Sequence, residues 1–129
     1  MLTGIFALEP KVKTIFFIID KPLHGNIQTQ EFLDMALMAA AFDQRVVMLF
    51  EGDGVYGLLN KQKPESLGMK NVAPILSALS IYDIKDVFVE KESMDERSLG
   101  LDQLAVEVTI RSRDVLKQQM EAADQLFSF

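Results

Sequence analysis

The chain alternates between short, wholly apolar runs and longer mixed segments, and that alternation predicts its architecture. Ile15-Phe16-Phe17-Ile18-Ile19 is continuously apolar and stops at Asp20-Lys21-Pro22. An apolar run of that length bounded by a turn predicts a central strand buried on both faces. Residues 46–50 repeat the pattern and stop at Glu51-Gly52-Asp53-Gly54, and Val87-Phe88-Val89 is a shorter third run. Residues 105–110 differ, because Val106, Val108 and Ile110 alternate with Glu107 and Thr109. Period two predicts a strand with one polar face, as at a sheet edge. Residues 126–129 predict a last short strand.

Helices fall between the strands. Residues 29–42 predict the first, with Glu31 in its first turn, where the helix dipole favours a carboxylate. Asn71 is placed to cap another, with Pro74 in its first turn and Val72, Ile75, Leu76 and Leu79 forming one apolar stripe. Ser112 is placed to cap the last, with Asp114 in its first turn and Val115, Leu116, Met120 and Ala123 facing inward. Strands alternating with helices predict one α/β domain. Its sheet is mostly parallel and five-stranded, with helices on both faces, in a flavodoxin- or Rossmann-like three-layer arrangement. The domain is expected over residues 12–129, after an N-terminal extension at 1–11.

The first helix breaks the usual pattern. Residues 35–42 read Met-Ala-Leu-Met-Ala-Ala-Ala-Phe, with no polar position. A helix on the outside of a monomer shows a wet face. Met35, Met38 and Phe42 cannot all face the sheet, so they are expected at a subunit contact.

Composition narrows the chemistry. The 129 residues allow one core and contain no cysteine and a single histidine. A disulfide framework, a zinc–thiolate site and an internal redox pair are excluded, and no metal or cofactor is expected. Net charge is −6 and the isoelectric point about 4.7, so nucleic-acid binding by this chain alone is not expected. Residues 1–8 are mildly apolar but have no basic start and no cleavage pattern, and no apolar run approaches membrane-span length. A cytoplasmic location is expected.

Candidate sites lie after the strands, where open α/β sheets bind ligands. Gly52-Asp53-Gly54-Val55-Tyr56-Gly57 fits G-x-G-x-x-G, but the acidic residue expected about twenty positions on is missing. A tight strand-to-helix turn, with Asp53 as an N-cap, is the competing reading. His24, between Leu23 and Gly25, has no serine or cysteine partner at a catalytic spacing. Lys61, Lys63 and Lys70, and the acidic Glu90, Glu92, Asp95 and Glu96, read as solvated loops. No nucleophile is evident, and no catalytic residue is assigned.

Several segments, in order, resemble a known family. Pro22-Leu23-His24-Gly25, Ala40-Ala41-Phe42-Asp43-Gln44 and Asp53-Gly54-Val55-Tyr56-x-Leu58 come first. Gln62-Lys63-Pro64, Gly68-Met69-Lys70-Asn71, Leu79, Tyr82-Asp83-Ile84, Ser93-Met94-x-x-Arg97-x-Leu99 and the closing Ala123-Asp124-Gln125-Leu126-Phe127-Ser128-Phe129 follow. The set is similar to the DsrF/TusC subunits of the DsrE/F/H-like group over residues 12–129, with Ser98 and Gly100 departing from the pattern around Leu99.

The resemblance implies a non-catalytic structural subunit of a heterohexameric sulfur-relay complex. Such a complex is a dimer of heterotrimers with DsrE/TusD-like and DsrH/TusB-like partners. It relays persulfide sulfur in intracellular sulfur oxidation or in synthesis of 2-thiouridine at the tRNA wobble position. The active cysteine is expected on a partner subunit. On this reading Asp20, His24, Gly25, Asp53, Gly54 and Tyr56 shape the surface beside that cysteine, and self-association is expected without partners. A stand-alone domain binding a nucleotide or small anion is the alternative.

Overall fold

In the computed structural model the described residues are 12–21, 27–59, 84–104 and 107–128, with residues 27–30 described by backbone alone. The expected helix after Asn71, the cationic Lys61, Lys63 and Lys70, and the Pro22-to-Gly25 segment lie outside them.

Five parallel strands form one sheet: β1 (Thr14–Ile19), β2 (Arg45–Phe50), β3 (Asp86–Glu90), β4 (Thr109–Arg111) and β5 (Gln125–Ser128). Their spatial order is β4-β3-β2-β1-β5. β1 and β2 pair from Thr14 with Arg45 to Ile19 with Phe50, and Phe50 in turn pairs with Val89. The chain thus steps outward strand by strand from β1 to β4, then crosses back to pair β5 with the other side of β1.

That reversal puts helices on both faces. Helix α1 (Ile27–Ala41) lays Phe32, Leu33 and Ala36 against Ile15, Phe17, Ile19, Met48 and Phe50. Helix α3 (Arg113–Ala122) lays Leu116, with Met120, against Phe16, Ile18, Val47, Leu49 and Phe88. Alternate residues of the same apolar runs feed two separate cores, which is why those runs show no polar position. Between β3 and β4 lies a short helix α2 (Lys91–Glu96).

The three-layer parallel α/β arrangement is as expected. Several local expectations need correction. The fourth strand is shorter than residues 105–110: among the described residues it begins only at Thr109 and holds three residues. Residues 105 and 106 are outside the described set. Ile110 and Val108 still pack against the α1-side core, so the alternation marked an edge strand but overstated its length. α1 starts at Ile27, which leaves its first turn without an acid and moves Glu31 into the second. The acidic stretch after β3 is not a loop, since Glu92, Asp95 and Glu96 ride on α2.

Two ends are set by side chains, of which the Ser112 cap was foreseen in the sequence. The Ser112 hydroxyl accepts from the Val115 amide at 3.3 Å and caps α3. The Asp124 carboxylate accepts from the Thr14 amide at 2.8 Å and the Asp124 amide donates to the Thr14 carbonyl at 2.9 Å, which starts the β5–β1 pairing.

α1 ends in a Schellman turn. The Gln44 amide donates to the Ala39 carbonyl at 3.2 Å and the Asp43 amide to the Ala40 carbonyl at 3.0 Å. The turn holds Asp43 at φ 63°, a conformation that favours glycine. Asp43→Gly is therefore expected to raise the unfolding free energy by about 0.5–1 kcal/mol, read as a higher urea midpoint with an unchanged m-value.

Candidate functional site

In-register parallel strands end at one level, so the residues just beyond them meet. Asp20 follows β1, Glu51 follows β2 and Glu90 closes β3. Together with Ser93, Glu96 and Arg113 they line an open cleft of about 270 Å³ at the carboxyl edge of the sheet.

Glu90 is its anchor. The residue is 5% exposed, and burying a carboxylate is costly unless it is paired. Arg113, the first residue of α3, supplies a two-pronged partner: Nη2 donates to Oε1 at 2.9 Å and Nε to Oε2 at 3.1 Å. The buried Ser93 hydroxyl donates to Oε1 at 2.6 Å while accepting from the Gly52 amide at 2.8 Å. Hydrogen bonding from Arg113 holds the Glu90 carboxyl below the ordinary value, against the opposing pull of burial. Glu92 accepts from the Arg113 backbone amide at 2.9 and 3.1 Å and so steadies the start of α3.

Glu51 is the opposite case. Burial, then the charges of Glu90 and Asp20, push its carboxyl above the ordinary value of 4.5, with Arg113 opposing. Among the described residues, neither Asp20 nor Glu51 has an ion-pair partner.

Beyond Glu51 the chain turns as a 3-10 helix, Gly52–Leu58, that packs Val55 and Leu58 into the α1-side core. Gly52 opens it at φ 53°. Gly54 is forced by a close approach: a Cβ there would lie 2.7 Å from the Ile19 carbonyl carbon and closer still to its oxygen. Asp53 is not the N-cap. Glu51 holds that position without a side-chain cap bond, and the Asp53 carboxylate instead accepts from Arg97 Nη2 at 2.9 Å and Nε at 3.2 Å. The same guanidinium lies 5.8 Å from the Tyr56 ring centroid and donates through Nη1 to the Ser93 carbonyl at 3.1 Å. Arg97 thus clamps the 3-10 turn to α2.

The structure brings Asp20, Asp53, Gly54 and Tyr56 to one end of the sheet. His24 and Gly25 lie outside the described residues. Met35 and Met38 on α1 and Phe42 in the turn that ends it form a separate surface, 48, 62 and 72% exposed. Sequence reasoning read Glu90 as part of a solvated loop, whereas it is buried at the end of β3, and it assigned no role to Glu51, Ser93, Arg97 or Arg113. The available signal was a carboxylate closing each apolar run, as in Val89-Glu90 and Phe50-Glu51. The dinucleotide-like glycines do not make an anion cradle, because the Gly52 amide is spent on Ser93 and carboxylates surround the turn. Among the described residues no cluster of acids or histidine is arranged to hold a metal ion.

A parallel three-layer α/β domain, opening at the carboxyl edge of its sheet in a cleft dominated by carboxylates, is the class of protein these features define. The chain belongs to the DsrE/DsrF-like family, whose model matches residues 13–129. It is 36% identical over 106 residues to a TusC homolog of Vibrio parahaemolyticus, covering 82% of this chain and 90% of that protein. It is 32% identical over 133 residues to the intracellular sulfur oxidation protein DsrF of Allochromatium vinosum, covering 92% and 97%. Among solved structures, the ychN protein from E. coli has the same fold, with a TM-score of 0.74 at 21% identity, covering 92% of this chain and all of that one.

Two substitutions test the site's physics. Gly54→Ala is expected to cost about 2 kcal/mol or more, because backbone rather than a movable side chain blocks the methyl group. Glu51 has its pKa raised by folding, so its ionised form opposes folding and stability falls as pH rises through the raised value. Glu51→Gln should therefore melt higher than the parent at neutral pH, with the difference vanishing below the ordinary value of 4.5 in a pH series of melting curves.

Proposed function

We propose that the chain is a non-catalytic structural subunit of a heterohexameric sulfur-relay complex, acting in intracellular sulfur oxidation or in tRNA wobble 2-thiouridine synthesis. One observation carries the reading: a chain so similar to an intracellular sulfur oxidation protein contains no cysteine in 129 residues. Persulfide transfer needs a thiolate to accept and release the sulfur. That thiolate must then sit on a partner, and DsrE/TusD-like and DsrH/TusB-like chains fill the role in a dimer of heterotrimers in the cytoplasm.

The exposed Met35, Met38 and Phe42 supply the contact for such a partner. Large apolar side chains set together on one helix favour burial against a second chain. Asp20, His24, Gly25, Asp53, Gly54 and Tyr56 shape the surface beside the partner's cysteine. A stand-alone anion-binding domain is less well supported, since Asp20 and Glu51, without an ion-pair partner among the described residues, repel an anion from the cleft.

The test is co-expression of the full chain with cysteine-bearing DsrE/TusD-like and DsrH/TusB-like subunits. A stable complex is expected that carries sulfur on the partner. Phe42→Asp with Met38→Asp, both at exposed positions, should weaken it at least ~10-fold while the isolated chain melts unchanged. Complex formation of unaltered affinity would remove α1 from the interface, and failure to associate with either subunit would remove the reading.

A further inference from the structure

The sheet has two edges, and they are built differently. β4 is three residues long and carries exposed Arg111, with Glu107 just before it. Its Arg111 guanidinium folds over the Phe88 ring at 5.7 Å. Short length and charge are the usual devices that keep a strand edge from pairing with another chain.

β5, only one residue longer, lacks the charge. Gln125-Leu126-Phe127-Ser128 carries no charge and no proline, and all four residues are exposed. It pairs with β1 on one side and, among the described residues, has no strand on the other. Its apolar side chains point both ways. Phe127 stacks on Phe17 at 5.4 Å on the α1 side and is still 37% exposed. Leu126 pairs with Phe16, which belongs to the α3-side core, and is 50% exposed. Among the described residues the edge thus offers backbone donors and acceptors without a strand partner, flanked by apolar surface above and below.

We infer that β5 is a pairing edge for a second copy of this chain, with the two β5 strands meeting antiparallel about a two-fold axis to give one continuous ten-stranded sheet. The occupant follows from complementarity. An open edge takes an extended strand, and an uncharged strand with apolar residues on both faces suits one of the same kind. β5 itself is such a strand, whereas the charged β4 edge is not. A two-fold axis normal to the sheet keeps each copy's α1 face on the same side. Residues directly opposite must then share a face. Leu126 therefore meets Leu126 of the second copy, or Phe127 meets Phe127. Both arrangements bury matching apolar groups and bring no like charges together.

Sedimentation velocity of the full chain over a concentration series tests this, at an ionic strength that screens the net charge of −6. A reversible dimer is expected, with the β5 amides exchanging more slowly at high concentration. Gln125→Lys with Ser128→Lys places cations at exposed positions along the edge and should raise the dimer Kd at least tenfold at an unchanged melting temperature. A chain monomeric throughout would overturn the inference. So would a dimer that survives both lysines but is dissociated by Phe42→Asp, which would put the self-contact on α1. Normal dimers combined with lost binding to a cysteine-bearing subunit would assign the edge to a foreign strand and also overturn it. The dimer readouts do not depend on the sulfur-relay reading, so the two fail separately.

Discussion

The ion pair between Glu90 and Arg113 ties the molecule together across its layers. A carboxylate 5% exposed at the end of a central strand is tolerable only with a cation in hydrogen-bonding reach. The cation comes from the first residue of α3, which packs on the face opposite α1. Through Ser93 the same carboxylate reaches the Gly52 amide and hence the turn after β2. Removing Arg113 would leave the buried Glu90 charge without its cation, whereas removing Glu90 would leave a guanidinium that water still reaches. The pair is more than a brace. Because it neutralises Glu90, the cleft carboxylates left without an ion-pair partner among the described residues are Asp20 and Glu51, and Glu51 is held reluctant to ionise.

Much of this was readable in the residues, for a definite reason. Ile15-Phe16-Phe17-Ile18-Ile19 is apolar at every position because Phe17 and Phe16 feed different cores, so its burial shows in composition alone. The Ser112 cap was legible because its partner lies three residues away. β4 was overextended because the alternation begins at Val106, ahead of Thr109, where pairing with β3 starts among the described residues. α2 escaped notice because six residues, four of them charged, carry no helical stripe.

The site was harder to read, since its contacts are long-range. Asp53 finds Arg97 forty-four residues on, and Glu90 finds Arg113 twenty-three residues on. Local spacing favoured the capping reading for Asp53, and tertiary pairing displaced it. Gly54 shows the same limit: the glycine pattern was visible, but its cause is the Ile19 carbonyl and not a phosphate. A chain without a cysteine leaves no thiol to find, so its role must be sought in surfaces, here the exposed side of α1 and the rim of the cleft.

The unequal edges of the sheet bear on how far any assembly can grow. A strand edge open on both sides of a sheet invites endless addition, the route to fibres. Here one edge is short and carries Arg111, while the other is neutral. Joining through the neutral edge uses it up and leaves only charged ends facing water. Edge-to-edge growth therefore stops after one step, and the geometry that admits a companion strand also sets the limit on aggregation.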